Sequence, residues 1–323
     1  MAVGDFNRDG KMDLVVLANP GFQILFGNGD GTFQPGVGFQ LSNAPTGLVV
    51  GDLNKDGNQD LAFAIGGYSK PEVAVLLGRG NGTFEPEVDY ATAGSSSVST
   101  GDFNGDGKLD LAIGGGDAYL WVSVLLGKGD GTFGSYIAPP VATNGCGAIA
   151  VADLNHDQKS DVVCGAYSYY PGGVSVLLGN GDGTFGSPVF YPIQVTGNGP
   201  NVVAIADFNG DGKPDVVSAN YDGNDTSVLL GNGDGTFKAA KNYPASINPV
   251  RVVTGDFNGD GIQDIAVVAG YNASAQVTVL IGGPGSASSA ECARCHAASR
   301  SRRSSATSAL AVSWIASACS AST

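Results

Sequence analysis

Glutamate, histidine and methionine are nearly missing from this chain: of 323 residues only four are Glu, two are His and two are Met. Two histidines (His156 and His296) leave no recurring zinc triad and no Ser-His-Asp set. Five cysteines, Cys146, Cys164, Cys292, Cys295 and Cys319, are too few and too unevenly placed for a disulfide scaffold and leave the compartment open. No apolar run reaches the 18 residues that a membrane-spanning helix needs. Basic residues are also scarce, 16 against 30 acidic, and a formal charge of −14 argues against a nucleic-acid partner held through its phosphates. Thirty acidic residues less four Glu leaves 26 Asp, so short carboxylates are specifically favoured. Glycine is abundant, 51 residues, yet 42% of the chain is hydrophobic, which rules out collagen and bulk disorder.

The aspartates are not scattered. The string Asp-x-Asn-x-Asp-Gly-x-x-Asp begins at Asp5, Asp52, Asp102, Asp207 and Asp256, with a variant at Asp153, at intervals of 47, 50, 51, 54 and 49 residues. A second string of the type GNGDGTF follows each, ending at Phe33, Phe84, Phe133, Phe185 and Phe237, and decays in the sixth copy to Gly282-Gly283-Pro284-Gly285. Between them lie short runs rich in Val, Ile and Leu, of strand length. Each repeat therefore reads as four strands joined by tight turns. The second and third are apolar throughout and should be buried on both faces. The fourth alternates and carries Pro86, Pro188 or Pro244, which suits an outer edge.

A four-stranded sheet of about 50 residues cannot cover both its faces alone, and radial stacking of such sheets does so. The expected fold is all-β: a β-propeller of four-stranded blades with six repeats visible over residues 1–285, either six-bladed or an incomplete seven-bladed ring, followed by a Ser/Ala/Arg-rich, disordered tail over 286–323. A linear β-solenoid fits less well, because its repeats are shorter and make about one coil each.

The aspartate string has the chemistry of a calcium loop, since a hard cation takes six to eight oxygens and alternate side chains must converge to supply them. The candidate ligands at positions 1, 3, 5 and 9 are Asp5, Asn7, Asp9 and Asp13 in the first loop and Asp52, Asn54, Asp56 and Asp60 in the second. The third offers Asp102, Asn104, Asp106 and Asp110, and the fourth Asp153, Asn155, Asp157 and Asp161. Asp207, Asn209, Asp211 and Asp215 form the fifth set, and Asp256, Asn258, Asp260 and Asp264 the sixth. Position 7 contributes a backbone carbonyl, from Lys11, Asn58, Lys108, Lys159, Lys213 and Ile262. Eighteen carboxylates in six clusters repel one another unless a cation bridges them. Up to six Ca²⁺ would carry the net charge from −14 to −2. Mg²⁺ suits the set less well because it wants a stricter octahedron. The plain alternative is an acidic turn whose Asp and Asn side chains bond to their own backbone. In the fourth loop Gln158 replaces the bend glycine, so this loop should bind most weakly.

The loop shares its first nine residues with an EF-hand but has no Glu at position 12, where Val16, Phe63, Ile113, Cys164, Ser218 and Val267 stand. In the second string the glycines supply positive φ for a hairpin, and the phenylalanine should pack between blades. Asp30, Asp130, Asp182 and Asp234 are read as turn residues, because one copy tolerates Asn81 there.

With its strings GDFNGDGKLD over 101–110 and LLGNGDGTF over 177–185, the chain resembles the FG-GAP/VCBS repeat family, bacterial relatives of the integrin α-subunit propeller. The resemblance covers residues 1 to about 283. It implies an extracellular or cell-surface, calcium-stabilised propeller, commonly of seven blades, that serves adhesion or binds a protein or glycan. It also implies a monomer or one part of a longer multidomain chain. Six repeats are visible, and Met1 lies four residues ahead of the first loop, so the chain is expected to be a fragment.

A non-enzymatic binding role is expected. Carboxylates outside the loops are few, but a polysaccharide-cleaving propeller is the alternative. Tyr119, Trp121, Tyr167, Tyr169, Tyr170 and Tyr221 form a candidate aromatic binding patch, with blade packing as the other reading. In the tail, Cys292-Ala293-Arg294-Cys295-His296 matches a haem-attachment or metal-clip pattern; read as an incidental string, it needs no site.

Overall fold

The computed structural model describes residues 1–66, 70–115, 122–138, 145–166, 172–193, 199–245, 247–269 and 276–283, together with the backbone of 293–295. Among these the regular structure is entirely β. Blade 1 consists of β1 (Ala2–Gly4), β2 (Asp13–Ala18), β3 (Gly21–Leu25) and β4 (Val37–Phe39); blade 2 of β5 (Pro45–Gly51), β6 (Asp60–Ile65), β7 (Glu72–Leu76) and β8 (Val88–Ala91). Blade 3 has β9 (Ser97–Gly101), β10 (Asp110–Gly114) and β11 (Val122–Leu125); blade 4 has β12 (Ala148–Ala152), β13 (Asp161–Ala166), β14 (Gly173–Leu177) and β15 (Val189–Pro192). Blade 5 is β16 (Pro200–Ala206), β17 (Asp215–Asn220), β18 (Asp225–Leu229) and β19 (Lys241–Pro244); blade 6 is β20 (Pro249–Gly255), β21 (Asp264–Ala269), β22 (Gln276–Leu280) and β23 (Ala293–Cys295).

Every sheet is an antiparallel meander in sequence order. Among the described residues, the outer position of blade 3 is marked by the bridge of Val124 with Ile137. The outer position of blade 6 is taken by the backbone of Ala293–Cys295, paired with Val277–Val279. The decay of the sixth turn string therefore does not remove the outer strand; tail residues supply it.

The chain falls into two compact units, Met1–Tyr169 with Gly173–Phe190, and Tyr170–Gly172 with Tyr191–Thr323. Within the first, the first strands of blades 1 to 4 lie side by side in order. Within the second, β16 lies beside β20. Burial follows the expected layering, with every residue of β6, β10, β11, β13, β14 and β17 buried. Phe22 of blade 1 stacks on Phe63 of blade 2 at 4.8 Å, and Ile24 and Leu61 complete that layer. In the second unit, Val217 and Val228 pack with Ile265 and Val267. Each such fully buried side chain contributes about 1.5–3 kcal/mol. The outer strands are solvated: Val37, Val88 and Val189, at matching places in β4, β8 and β15, are each about half exposed.

One covalent link was not legible in the cysteine spacing. Cys146, two residues before β12, is joined to Cys164 in β13 by a disulfide, and both are fully buried in the layer between blades 3 and 4. It closes a loop of sequence separation 18 that contains the whole fourth aspartate loop. Cys164→Ser should lower unfolding stability by about 3 kcal/mol, the chain-entropy value for a loop of this size. Denaturant titration of the variant checks the stability, and thiol counting on the unreduced, unfolded wild type should find these two cysteines unreactive.

Candidate functional site

Each aspartate string forms the loop between the first and second strands of its blade. In the first, the two oxygens of Asp5 accept the amides of Asp9 at 3.1 Å and Gly10 at 2.9 Å, Asn7 Oδ1 accepts Asp9 N–H at 3.0 Å, and Asp9 Oδ1 accepts Lys11 N–H at 2.9 Å. The same set recurs around Asp52, Asp102, Asp153, Asp207 and Asp256. Local bonding to backbone is thus present in every loop. It leaves oxygen capacity over, because an ionised carboxylate offers about four acceptor sites.

Two positions in each loop are left-handed. At position 6 the glycines have φ between 73° and 86°, and Gln158 adopts 67° in the fourth loop, so the strain expected there is present. Position 4 is left-handed as well: Arg8, Lys55 and His156 lie at φ 58–60°, and Gly105, Gly210 and Gly259 fill it elsewhere. Sequence reasoning overlooked position 4, because three of six copies carry a side chain there.

Position 9 is the centre of the arrangement. Asp13, Asp60, Asp110, Asp161, Asp215 and Asp264 are all fully buried. In each, Oδ2 accepts the amide of position 2, from Phe6, Leu53, Phe103, Leu154, Phe208 or Phe257, at 2.8–3.0 Å. Oδ1 accepts the amide of the first glycine of the turn string, Gly27, Gly78, Gly127, Gly179, Gly231 or Gly282, at 2.7–2.8 Å. One carboxylate therefore staples the two motifs of each repeat together across 14 to 18 residues. The partner must be glycine, because a Cβ on Gly127 would sit 2.2 Å from the Leu109 carbonyl oxygen, and one on Gly282 2.4 Å from that of Gln263. This explains why Gly282 survives where the rest of the sixth string has decayed.

The electrostatics match the burial. Desolvation pushes the Asp60 carboxyl up to about 6 against the pull of the Gly78 and Leu53 amides, and repulsion from Asp56 and Asp52 adds to the rise. Asp215 reaches about 6 by the same causes, and burial raises Asp110, Asp161 and Asp264 in the same direction. The exposed carboxylates behave oppositely: the Lys108 ammonium, 2.9 Å from Asp106, holds that group below the usual range. Lys11, Lys159 and Lys213 reach the matching aspartates at 3.2–4.0 Å, while Asn58 and Ile262 leave the second and sixth loops without such a cation. Among the described residues, no three Asp, Glu, His or Cys side chains gather at ion-binding spacing. The donor set of each loop is nonetheless all oxygen, three carboxylates and an amide, which fits a hard cation.

The turn strings are structural. Asp30, Asp130, Asp182 and Asp234 each accept both the amide and the hydroxyl of the threonine two residues on, and Asn81 does the same. Their phenylalanines pack on other rings, Phe84 on Phe6 and Phe39, Phe185 on Phe103, and Phe237 on Tyr191. Of the candidate aromatic patch, only Tyr221 is described, with its carbonyl accepting from Asn248. Tyr119, Trp121, Tyr167, Tyr169 and Tyr170 lie outside the described residues, as do Cys292, His296 and the side chain of Cys295.

The family model for the FG-GAP-like repeat matches residues 5–63, 52–113, 102–164, 153–218 and 207–267. The chain belongs to the FG-GAP-like repeat family. Each FG-GAP match starts at position 1 of one aspartate loop and ends in the second strand of the next blade, so the sequence unit straddles two sheets. Among curated proteins, integrin alpha pat-2 of Caenorhabditis elegans is 30% identical in an alignment 237 positions long, covering 59% of this chain. The chain spans 19% of that integrin. Among solved structures, similarity is found to the Photorhabdus luminescens Tc holotoxin pore (18% identity, 84% of this chain and 13% of that one, TM-score 0.46). It is also found to the V. cholerae biofilm matrix protein Bap1 (15% identity, 87% of this chain and 37% of that one, TM-score 0.41).

Two outcomes follow from the FG-GAP staple. Asp110→Asn leaves at least one of two buried amides facing an NH₂ group, and should cost on the order of 3 kcal/mol in a denaturant titration; Gly127→Ala, which clashes with backbone, should cost no less. The second concerns pH in the presence of chelator. Asp60 and Asp215 titrate near 6 when folded and near the ordinary 3.9 when unfolded, so the folded state holds extra protons between those values. The penalty is complete above pH 6 and is relieved as pH falls, so the chelated melting temperature should rise from pH 7.5 to 5. A flat or falling profile would contradict burial of these carboxylates.

Proposed function

We propose that this chain is a non-enzymatic binding module of an extracellular or cell-surface protein, in which six calcium loops hold the blade turns in place and exposed surfaces engage a protein or glycan. The observation that carries the metal reading is the buried position-9 carboxyl group, set in the same short loop as two further aspartates in every repeat. Such a cluster is costly alone, and its all-oxygen chemistry suits Ca²⁺. The residues that would hold the ion are the aspartates at positions 1, 5 and 9, the asparagine at position 3 and the carbonyl at position 7. When bound, the ion supplies positive charge that offsets their repulsion. The chain's own part is to present the oxygens on a backbone bent at positions 4 and 6.

The surface location draws support from the family, from the integrin relative, and from the buried Cys146–Cys164 disulfide, since such links persist in oxidising compartments. No helix among the described residues is long and apolar enough to cross a membrane. A polysaccharide-cleaving role has no specific observation in its favour.

Calcium titration followed by melting tests the proposal. Affinities of the order of 10⁻⁴ M are expected for an extracellular module. At 100 times the dissociation constant each occupied loop should add about 2.7 kcal/mol. Loop occupancy should also reverse the pH trend seen in chelator, since protons then compete with the ion. Gln158→Gly should strengthen the weakest step. Identical melting in calcium and chelator would overturn the metal role.

A further inference from the structure

The second glycine of the turn string is a seat for a cationic side chain. In four blades the methylenes of the position-7 lysine lie over it: a Cβ on Gly29, Gly129, Gly181 or Gly233 would meet Lys11, Lys108, Lys159 or Lys213 at 2.8–3.3 Å. From there each ammonium reaches the position-5 aspartate of its own loop at 2.9–4.0 Å. Blade 2 has Asn58 in place of that lysine. Its seat, Gly80, is shared by Asn58 Oδ1 and by the Cδ of Arg8, which a Cβ there would meet at 3.1 Å. Arg8 belongs to blade 1, at position 4 of the first loop. Its side chain runs on over the second loop, where Nη2 donates to the Asp56 carbonyl oxygen at 3.3 Å and lies 2.8 Å from the place of a Cβ on Gly57.

The repeat itself brings Arg8 there. Position 4 faces the next blade's seat in two further pairs of blades: a Cβ on Gly105 would lie 4.0 Å from the Gly181 carbonyl oxygen, and one on Gly210 3.3 Å from Ile262, the position-7 residue of the sixth loop. Backbone bonds tie the same pairs, since the carbonyls of Phe6, Phe103 and Phe208 accept the amides of Gly82, Gly183 and Gly283 at 2.8–3.2 Å. Gly105 and Gly210 bring no side chain to that contact, whereas Arg8 brings a charge to a loop that has no lysine of its own. The Asp56 carboxyl registers it: against burial, which raises it, the Asn58 amide, the Asn54 and Asn58 side chains and the Arg8 charge together hold it below the usual range.

We propose that Arg8 is the counter-cation of the second loop, supplied from the neighbouring blade, and that it sets both the metal-free stability of that loop and its affinity for a divalent cation. The affinity half rests on the calcium reading above; the stability half does not. In the absence of metal the guanidinium offsets the mutual repulsion of Asp52, Asp56 and Asp60, and for the same reason it opposes an incoming cation. Arg8 is thus a positioning and charge-balancing residue, and loops 1 and 2 are coupled through it.

The first arm of the test is melting in chelator at low salt. Arg8→Gln keeps a side chain on the left-handed backbone but removes the charge, and should lower the melting temperature by about 1–3 °C. The loss should nearly vanish in 1 M salt, where screening acts within about 3 Å. Arg8→Lys should retain most of the stability, and Asn58→Lys, which returns a lysine to the seat, should rescue Arg8→Gln. A loss that ignores salt and is not rescued by Asn58→Lys, or no loss at all, overturns the proposal. The second arm follows calcium titration by the amide resonances of Gly57 and Gly107, which report the second and third loops. Arg8→Gln should tighten binding several-fold at Gly57 and leave Gly107, whose loop has Lys108, unchanged. Equal midpoints at Gly57 in the variant and the wild type overturn the affinity half. If calcium moves neither resonance in the wild type, the calcium reading fails, and the chelator arm alone decides whether Arg8 balances the second loop.

Discussion

A buried carboxylate bonded to two backbone amides organises each repeat. The position-9 aspartate receives one amide from the start of its own loop and one from the turn that closes the third strand, so two loops far apart in sequence share one negative charge. Charge-assisted bonds of this kind are roughly twice as strong as neutral ones, and in a buried setting they tolerate little change in geometry. The glycine that donates the second bond is held to its identity by the carbonyl pressed against its Cα. Loop, turn and second strand are thereby locked in one register, and the same lock appears in all six blades.

The lock has an electrostatic cost that shapes the rest of the loop. Burial and nearby aspartates destabilise the ionised form of Asp60 and Asp215, while local amides and, in four loops, a lysine ammonium offset part of the repulsion. A hard cation would offset more of it, which is why the proposed calcium role and the structural staple belong to the same carboxylate. Packing between blades adds a second, apolar layer. Rings from the turn strings close the space beside the outer strands.

The four-stranded unit, its antiparallel order, the burial of the middle strands and the place of the aspartate loops were all legible from spacing. These features follow from interactions within a few residues: alternation of apolar side chains, glycines at left-handed positions, and Asp or Asn bonding to nearby amides. The turn role of Asp30 and its equivalents was legible for the same reason. The left-handed position 4 was hidden, because Arg8, Lys55 and His156 occupy a conformation for which glycine is the usual marker.

By itself, the sequence determined the repeat, the family and the chemistry of the loop, since each is written in contiguous residues. Only the tertiary structure decided which amides the position-9 carboxylates meet, that Cys146 joins Cys164, and that tail backbone pairs as the outer strand of blade 6. All three depend on which residues distant in sequence are brought together by strand register and blade packing, and that distance cannot be read from local spacing.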